Sequence, residues 1–185
     1  MALSECELAS AVFRVPLVVE ARSLAEWEDG RSVDERGFPV ETPAGLREPA
    51  LAWVVAVNGG LARVDIEARV AHRGPNLAVP DGGTAERLME LWDGVVMDVL
   101  DQAEDGVIAS RVAAELPGAL LRRLAEGESV RDEELFGPGG LSDELRGGVG
   151  DGLDLFAYCG LVEHGDGVVA LTPLGHWGLT RDAER

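Results

Sequence analysis

The chain contains no lysine: all 16 of its basic residues are arginine, set against 34 acids, for a formal net charge of −18. A chain this negative repels polyphosphate, so generic nucleic-acid binding starts at a disadvantage. Cysteine is nearly absent as well. Cys6 and Cys159 stand far apart and form no motif, which excludes a disulfide framework and predicts free thiols in a reducing cytoplasm. No apolar run approaches the ~20 residues that a membrane span needs. Met1 to Ser10 carries Glu5 and Glu7 and no base, so no secretory signal is expected there. Asn and Ile are scarce, while Ala, Gly, Val, Leu, Arg, Asp and Glu dominate, a bias that reflects a GC-rich coding sequence.

Hydrophobic residues make up 46% of the chain, enough for a buried core. The acid is unevenly spread. Residues 1–80 hold 8 Arg against 12 acids, a net of −4, and residues 81–185 hold 8 Arg against 22 acids, a net of −14. The second half is therefore the poorer candidate for contact with DNA.

The apolar spacing of Leu17, Leu24 and Trp27, with Val18, Ala21 and Ala25, predicts a helix over Pro16 to Asp29, stopped by Gly30. Arg31 to Pro49 reads as loop. Glu48 to Asn58 is apolar all round and is predicted as a buried helix ending at Asn58-Gly59-Gly60. Two short strands are expected next, Ala62 to Ile66 and Glu67 to Ala71, then a Gly/Pro-rich linker over 73–83. From Thr84, a good N-cap, a long helix is predicted to about Glu104. Leu88, Trp92, Val95, Val96, Val99 and Ala103 form its apolar face, and Glu86, Glu90, Asp93, Asp101 and Glu104 an opposite acidic face. Such a stripe is ordinarily solvated surface, and its sharper reading is a docking face for a basic partner. Two helical stretches over 107–116 and 118–126 are separated by Pro117. Ser142 to Tyr158 reads as helical in its second half only. Its glycines follow no predicted strand and lack a phosphate-loop lysine, which argues against a nucleotide loop.

From Leu153 the sequence runs LDLFAYCGLVEHGDGVVALTPLGHWGL. A helix ends at Gly160, a strand covers Leu161 to His164, Gly165-Asp166-Gly167 makes a tight turn, and Val168 to Leu171 returns. Thr172-Pro173 opens a last helix. Helix, strand, wing, strand and closing helix are the second half of a winged helix. The string resembles the "GLVE … LTPLG" wing of MarR-like and PadR-like regulators. It is more similar still to a group of uncharacterised actinobacterial proteins ending in LTPLG-x-W, here Leu171, Thr172, Pro173, Leu174, Gly175 and Trp177. The resemblance covers about residues 153–179 and implies a fold rather than an activity.

Short matches recur about a hundred residues apart: Leu24-Ala25-Glu26 with Leu124-Ala125-Glu126, Ser32-Val33 with Ser129-Val130, and Gly60-Leu61 with Gly160-Leu161. They predict a mainly α fold with short β-hairpins, built as tandem winged-helix units over 1–80 and 107–185 and bridged by the acidic helix of 81–106. The two wings differ. Arg63, Arg69, His72 and Arg73 surround the first, and Arg63, Arg69 and Arg73 are the candidate nucleic-acid contacts, unless these arginines pair with neighbouring acids. Glu163, His164 and Asp166 mark the second, beside a recognition helix with Asp143, Glu144, Asp151 and Asp154 against a single Arg146.

Cys159, His164 and His176 cluster near the second wing without zinc-ligand spacing, so no metal is expected. No serine stands in a nucleophile elbow, and with 34 acids a pair of carboxylates carries no information. The four tryptophans read as core. Neither a catalytic constellation nor a cofactor is expected. The residues imply a cytoplasmic, non-enzymatic regulator or adaptor that binds protein, a second copy of itself included. The alternative is a transcriptional regulator using its first unit on DNA.

Overall fold

The computed structural model describes residues 4–78, 86–96, 120, 122–136 and 143–182, and these are mainly helical with short antiparallel strands. The chain divides into two compact units, Leu3–Trp92 and Asp93–Arg185. Among the described residues no helix is long and apolar enough to cross a membrane.

The N-terminal unit opens with α1 (Glu5–Val12), capped by a reciprocal pair: Ser4 Oγ accepts from the Glu7 amide and the Glu7 carboxylate accepts from the Ser4 amide. In α2 (Pro16–Trp27) Leu17, Val18, Ala21, Leu24 and Ala25 are buried. This stripe packs on α3 (Pro49–Asn58), which buries Ala52, Trp53, Val55 and Ala56. The expectation that α3 is buried on every side does not hold. Ala50 is exposed, and Leu51, Val54 and Val57 are half-buried. A helix packed along one side keeps an outer face whatever its composition.

β1 (Ala62–Asp65) and β2 (Val70–Arg73) form an antiparallel hairpin with Ala62 opposite Arg73 and Asp65 opposite Val70. The return strand therefore lies beyond the predicted Glu67–Ala71. Asp65 Oδ1 accepts from the Ala68 amide at 2.9 Å and Arg69 takes a left-handed φ of 54°, which builds a turn over 66–69. The segment after α2, expected as loop, extends this sheet. Ser32 bridges Val70, Val33 bridges Pro39, and the Val40 amide donates to the Ser32 carbonyl. Helical residues 86–96, here α4, place Leu88 and Leu91 against Gly59, where a Cβ would sit 2.8 Å from the Leu88 methyl.

The C-terminal unit contains helical residues 122–125 (α5), β3 (Val130–Arg131), α6 (Asp132–Phe136), α7 (Asp143–Tyr158), β4 (Val162–Gly165), β5 (Val168–Leu171) and α8 (Pro173–Asp182). Its sheet has the order β3-β5-β4, antiparallel throughout. Asp166 and Gly167 turn the hairpin with φ of 54° and 71°, the two left-handed residues of a type I′ turn. The glycine-rich first half of α7 is helical, contrary to expectation. A helix-interior glycine costs about 1 kcal/mol against alanine, and burial of Val149, Leu153 and Phe156 on the same helix offsets it. The stretch 107–116, Pro117 and the bridging helix beyond residue 96 lie outside the described residues.

The same helix-to-strand junction occurs within each unit. The amides of Gly59, Gly60 and Leu61 bond to the carbonyls of Val55, Val57 and Ala56. A hundred residues on, those of Cys159, Gly160 and Leu161 bond to Leu155, Ala157 and Phe156. Gly60 and Gly160 both have left-handed φ, 67° and 76°. After the hairpin the spacing falls to ninety-eight: Gly74 and Thr172 donate to Leu61 and Leu161 respectively. Four residues separate Asp65 from its partner Val70, but two separate Gly165 from Val168. On the third strand Ser32 meets Val70, three before Arg73, and Arg131 meets Val168, three before Leu171. Ser32 is thus level with Arg131, two residues out of step with the Ser-Val match. An even displacement preserves the face, and Val33 and Val130 are both buried.

Candidate interaction surfaces

Alternation sets what the first hairpin presents. Arg63 stands opposite His72 on the sheet face away from Ala71, and Arg69 stands at the turn. Arg63, Arg69 and Arg73 are all exposed. Arg73 is engaged by Asp29, through its amide at 3.1 Å and its Nε at 3.2 Å. Arg63 and Arg69 form no ion pair among the described residues. The helix before this hairpin, α3, contains no charged residue.

The second hairpin is acidic. Glu163 and Asp166 are exposed, as are Asp151 and Asp154 on α7. His164 Nε2 lies 2.8 Å from Asp132 Oδ1, tying β4 to the start of α6. The side chains of Asp143, Glu144 and Arg146 lie outside the described set.

Of the acidic stripe on α4, Glu86 and Glu90 are exposed, but Asp93 is only 4% exposed. At 100° per residue Asp93 falls beside Met89, itself buried, at the margin of the apolar face. It is therefore not part of an outward docking face. Asp101 and Glu104 lie outside the described residues. Of the four tryptophans, Trp53 and Trp92 are buried, while Trp27 and Trp177 are half-buried. Arg31 stacks on Trp27 at 3.8 Å. Cys159 is buried, and among the described residues no group of three His, Cys, Asp or Glu is placed to hold a metal ion.

Two features escaped the sequence reading. Among the described residues the large exposed apolar ones are Val19, Phe38, Val40 and Ile66, all in the N-terminal unit. The Val33–Pro39 bridge turns Pro39 inward and Phe38 and Val40 outward. Trp53 Nε1 fixes this loop by donating to the Gly37 carbonyl at 2.8 Å. A Cβ on Gly37 would meet Ile66 Cδ1 at 3.0 Å, so Ile66 lies over the same loop. The alternation in Phe38-Pro39-Val40 was the available signal.

The second feature is Glu28, at the C-terminal cap of α2. It is 1% exposed, and among the described residues neither carboxylate oxygen has a hydrogen-bond partner. Burial pushes its carboxyl from 4.5 up to about 7; Arg31 pulls it down and Glu41 adds to the rise.

Comparison with known proteins returns no matching family model, no similar curated protein and no similar solved structure.

Proposed function

We propose that the chain is a non-enzymatic regulatory or adaptor protein of the cytoplasm, made of two winged-helix units, whose N-terminal unit binds another protein. One observation carries this reading: the helix in the recognition position of that unit, α3, turns Ala50, Leu51, Val54 and Val57 outward. Reading base edges or phosphates needs donors and positive charge, which these side chains lack. Apolar and aromatic side chains are what the core of a protein interface uses. Phe38, Val40 and Ile66, exposed in the same unit, add to the same chemistry. Residues 31–40 and 62–73 hold five Arg against four carboxylates, a net of +1 in a chain of −18. This is where a partner with apolar side chains and carboxylates approaches with least repulsion.

The test is a capture from native lysate with wild-type protein and a Phe38→Ser/Val40→Ser variant, scored for protein and nucleic acid, followed by reconstitution with the purified partner. The reading expects a protein ligand whose Kd weakens about tenfold or more in the variant, in keeping with loss of apolar anchors. Equal binding by both proteins sinks it.

The second reading is DNA binding through the first hairpin, favoured by the exposure of Arg63 and Arg69 without ion-pair partners among the described residues. In that case a mobility shift at low salt disappears in the Arg63→Ala/Arg69→Ala/Arg73→Ala variant and survives Arg146→Ala. A sequence-dependent shift that is lost in this way replaces the adaptor reading.

A further inference from the structure

We propose that Glu28 is a proton-operated latch: uncharged, it keeps the end of α2 closed against the sheet of the N-terminal unit, and its ionisation opens that end. The proposal stands whether or not the apolar surface nearby binds protein.

The geometry supplies a carboxylate with nowhere to go. Both oxygens are buried without a hydrogen-bond partner among the described residues. The backbone on either side is pinned. Glu28 donates its amide to Leu24 and accepts from the Arg31 amide at 2.8 Å, and Gly30 donates to Ala71 of β2 at 2.8 Å. Asp29, next in the chain, is held by Arg73 of β2. The side chain therefore reaches water only if this junction opens. An ionised carboxylate left buried and unpaired is costly. A position at the negative end of a helix raises that cost.

The charged groups around it relieve that cost only in part. Arg31, from the following turn, attracts the carboxylate, but its Nε is bonded to the Trp27 carbonyl at 2.8 Å and its guanidinium stacks on the Trp27 ring. Glu41, from the loop before α3, repels it. α3 packs on α2 and carries no charge. On β2, Arg73 is taken by Asp29. With the closed-form carboxyl near 7 and an ordinary value of 4.5 when open, closure is favoured most below pH 4.5. That advantage is lost as pH rises to 7, and the opening equilibrium gains on the order of a hundredfold or more across the interval. Opening releases the segment 31–33, to which Pro39 and Val40 are tied by the Val33 bridge and the Ser32 carbonyl.

The experiment is amide hydrogen exchange of the full chain, read at Gly30, Arg31 and Ala71 and corrected for intrinsic rates, in wild type and Glu28→Gln. Between about pH 5.5 and 7.5 the wild-type opening equilibrium should rise roughly twentyfold, while Glu28→Gln stays flat. The same rise in both overturns the latch. Should the variant fail to fold, carboxyl carbon NMR of wild-type Glu28 decides: a midpoint near 7 supports the latch and one near 4.5 overturns it.

Discussion

Glu28 and Glu128 stand a hundred residues apart, each just beyond one copy of the repeated Leu-Ala-Glu, and their surroundings are opposite. Glu28 is buried with no hydrogen-bond partner for its carboxylate among the described residues. Glu128 is exposed, and its carboxylate accepts from Arg123 Nε at 2.8 Å, with Glu134 on the same guanidinium at 3.1 Å. The contrast runs through both units. After the third strand the first unit continues into a loop that exposes Phe38 and Val40, whereas the second continues into α6, whose first turn is Asp132, Glu133 and Glu134. The shared part is the backbone junction of helix, Gly-Leu and hairpin; the side chains around it diverge. Backbone hydrogen bonds and left-handed glycines restrict substitution, while exposed positions accept it.

If the junction is common, matched deletions in its core should cost alike. Leu61 and Leu161 follow the two left-handed glycines and are 0% and 1% exposed. Leu61→Ala and Leu161→Ala should each destabilise their own unit by about 2–5 kcal/mol. Denaturant titration followed by unit-resolved amide exchange measures this. A large loss in one unit and none in the other breaks the equivalence.

The glycines before them give the next effect. Gly60→Ala and Gly160→Ala place a side chain at φ of 67° and 76°, at a cost of about 1–2 kcal/mol each. Gly60 should suffer more, because its new Cβ would lie 2.8 Å from Asn76 Nδ2, which must move and give up its bond to the Gly59 carbonyl. Thermal melts rank the pair, and a harmless Gly60→Ala would mean that Asn76 is not held where it stands.

Legibility followed how local the determinant was. The second hairpin was readable from Asp-Gly between valine-rich strands, displaced by one residue because Gly165 pairs with Val168 and the turn is Asp166-Gly167. The first was readable as a hairpin, but its return strand was misplaced: the turn depends on the Asp65 carboxylate and on Arg69 at positive φ, which no glycine announced. α1 was missed although Ser4-x-x-Glu7 spells a capping box. Arg63, Arg69 and Arg73 were placed on the exposed hairpin, since strand charges face water by default. Asp93 failed because a helical wheel fixes angle but not how wide a face the neighbours cover. Glu28 was out of reach: whether a carboxylate at a helix end is solvated or sealed depends on β2 and the loop to Glu41, both distant in sequence.

The smallest expected effect concerns how each unit seals its junction after the hairpin. In the second unit Thr172 Oγ1 donates to the Gly160 carbonyl at 2.6 Å and accepts from the Gly175 amide at 2.9 Å, so one hydroxyl caps α8 and closes the glycine turn. In the first, two groups of Asn76 divide the work: its amide donates to the Gly60 carbonyl and its Nδ2 to the Gly59 carbonyl. Thr172→Val keeps the shape and removes the hydroxyl's bonds to Gly160, Leu161 and Gly175, leaving the Gly175 amide without its cap, so a loss of about 1–2 kcal/mol is expected. Asn76→Ala keeps the backbone bond to Gly60 and removes one side-chain bond at a half-buried site, where water can replace it, so the loss should be about 1 kcal/mol or less. Paired melts of the two variants test the order. If Asn76→Ala proves the more damaging, the seal of the first unit rests on the side chain rather than on the backbone bond to Gly60.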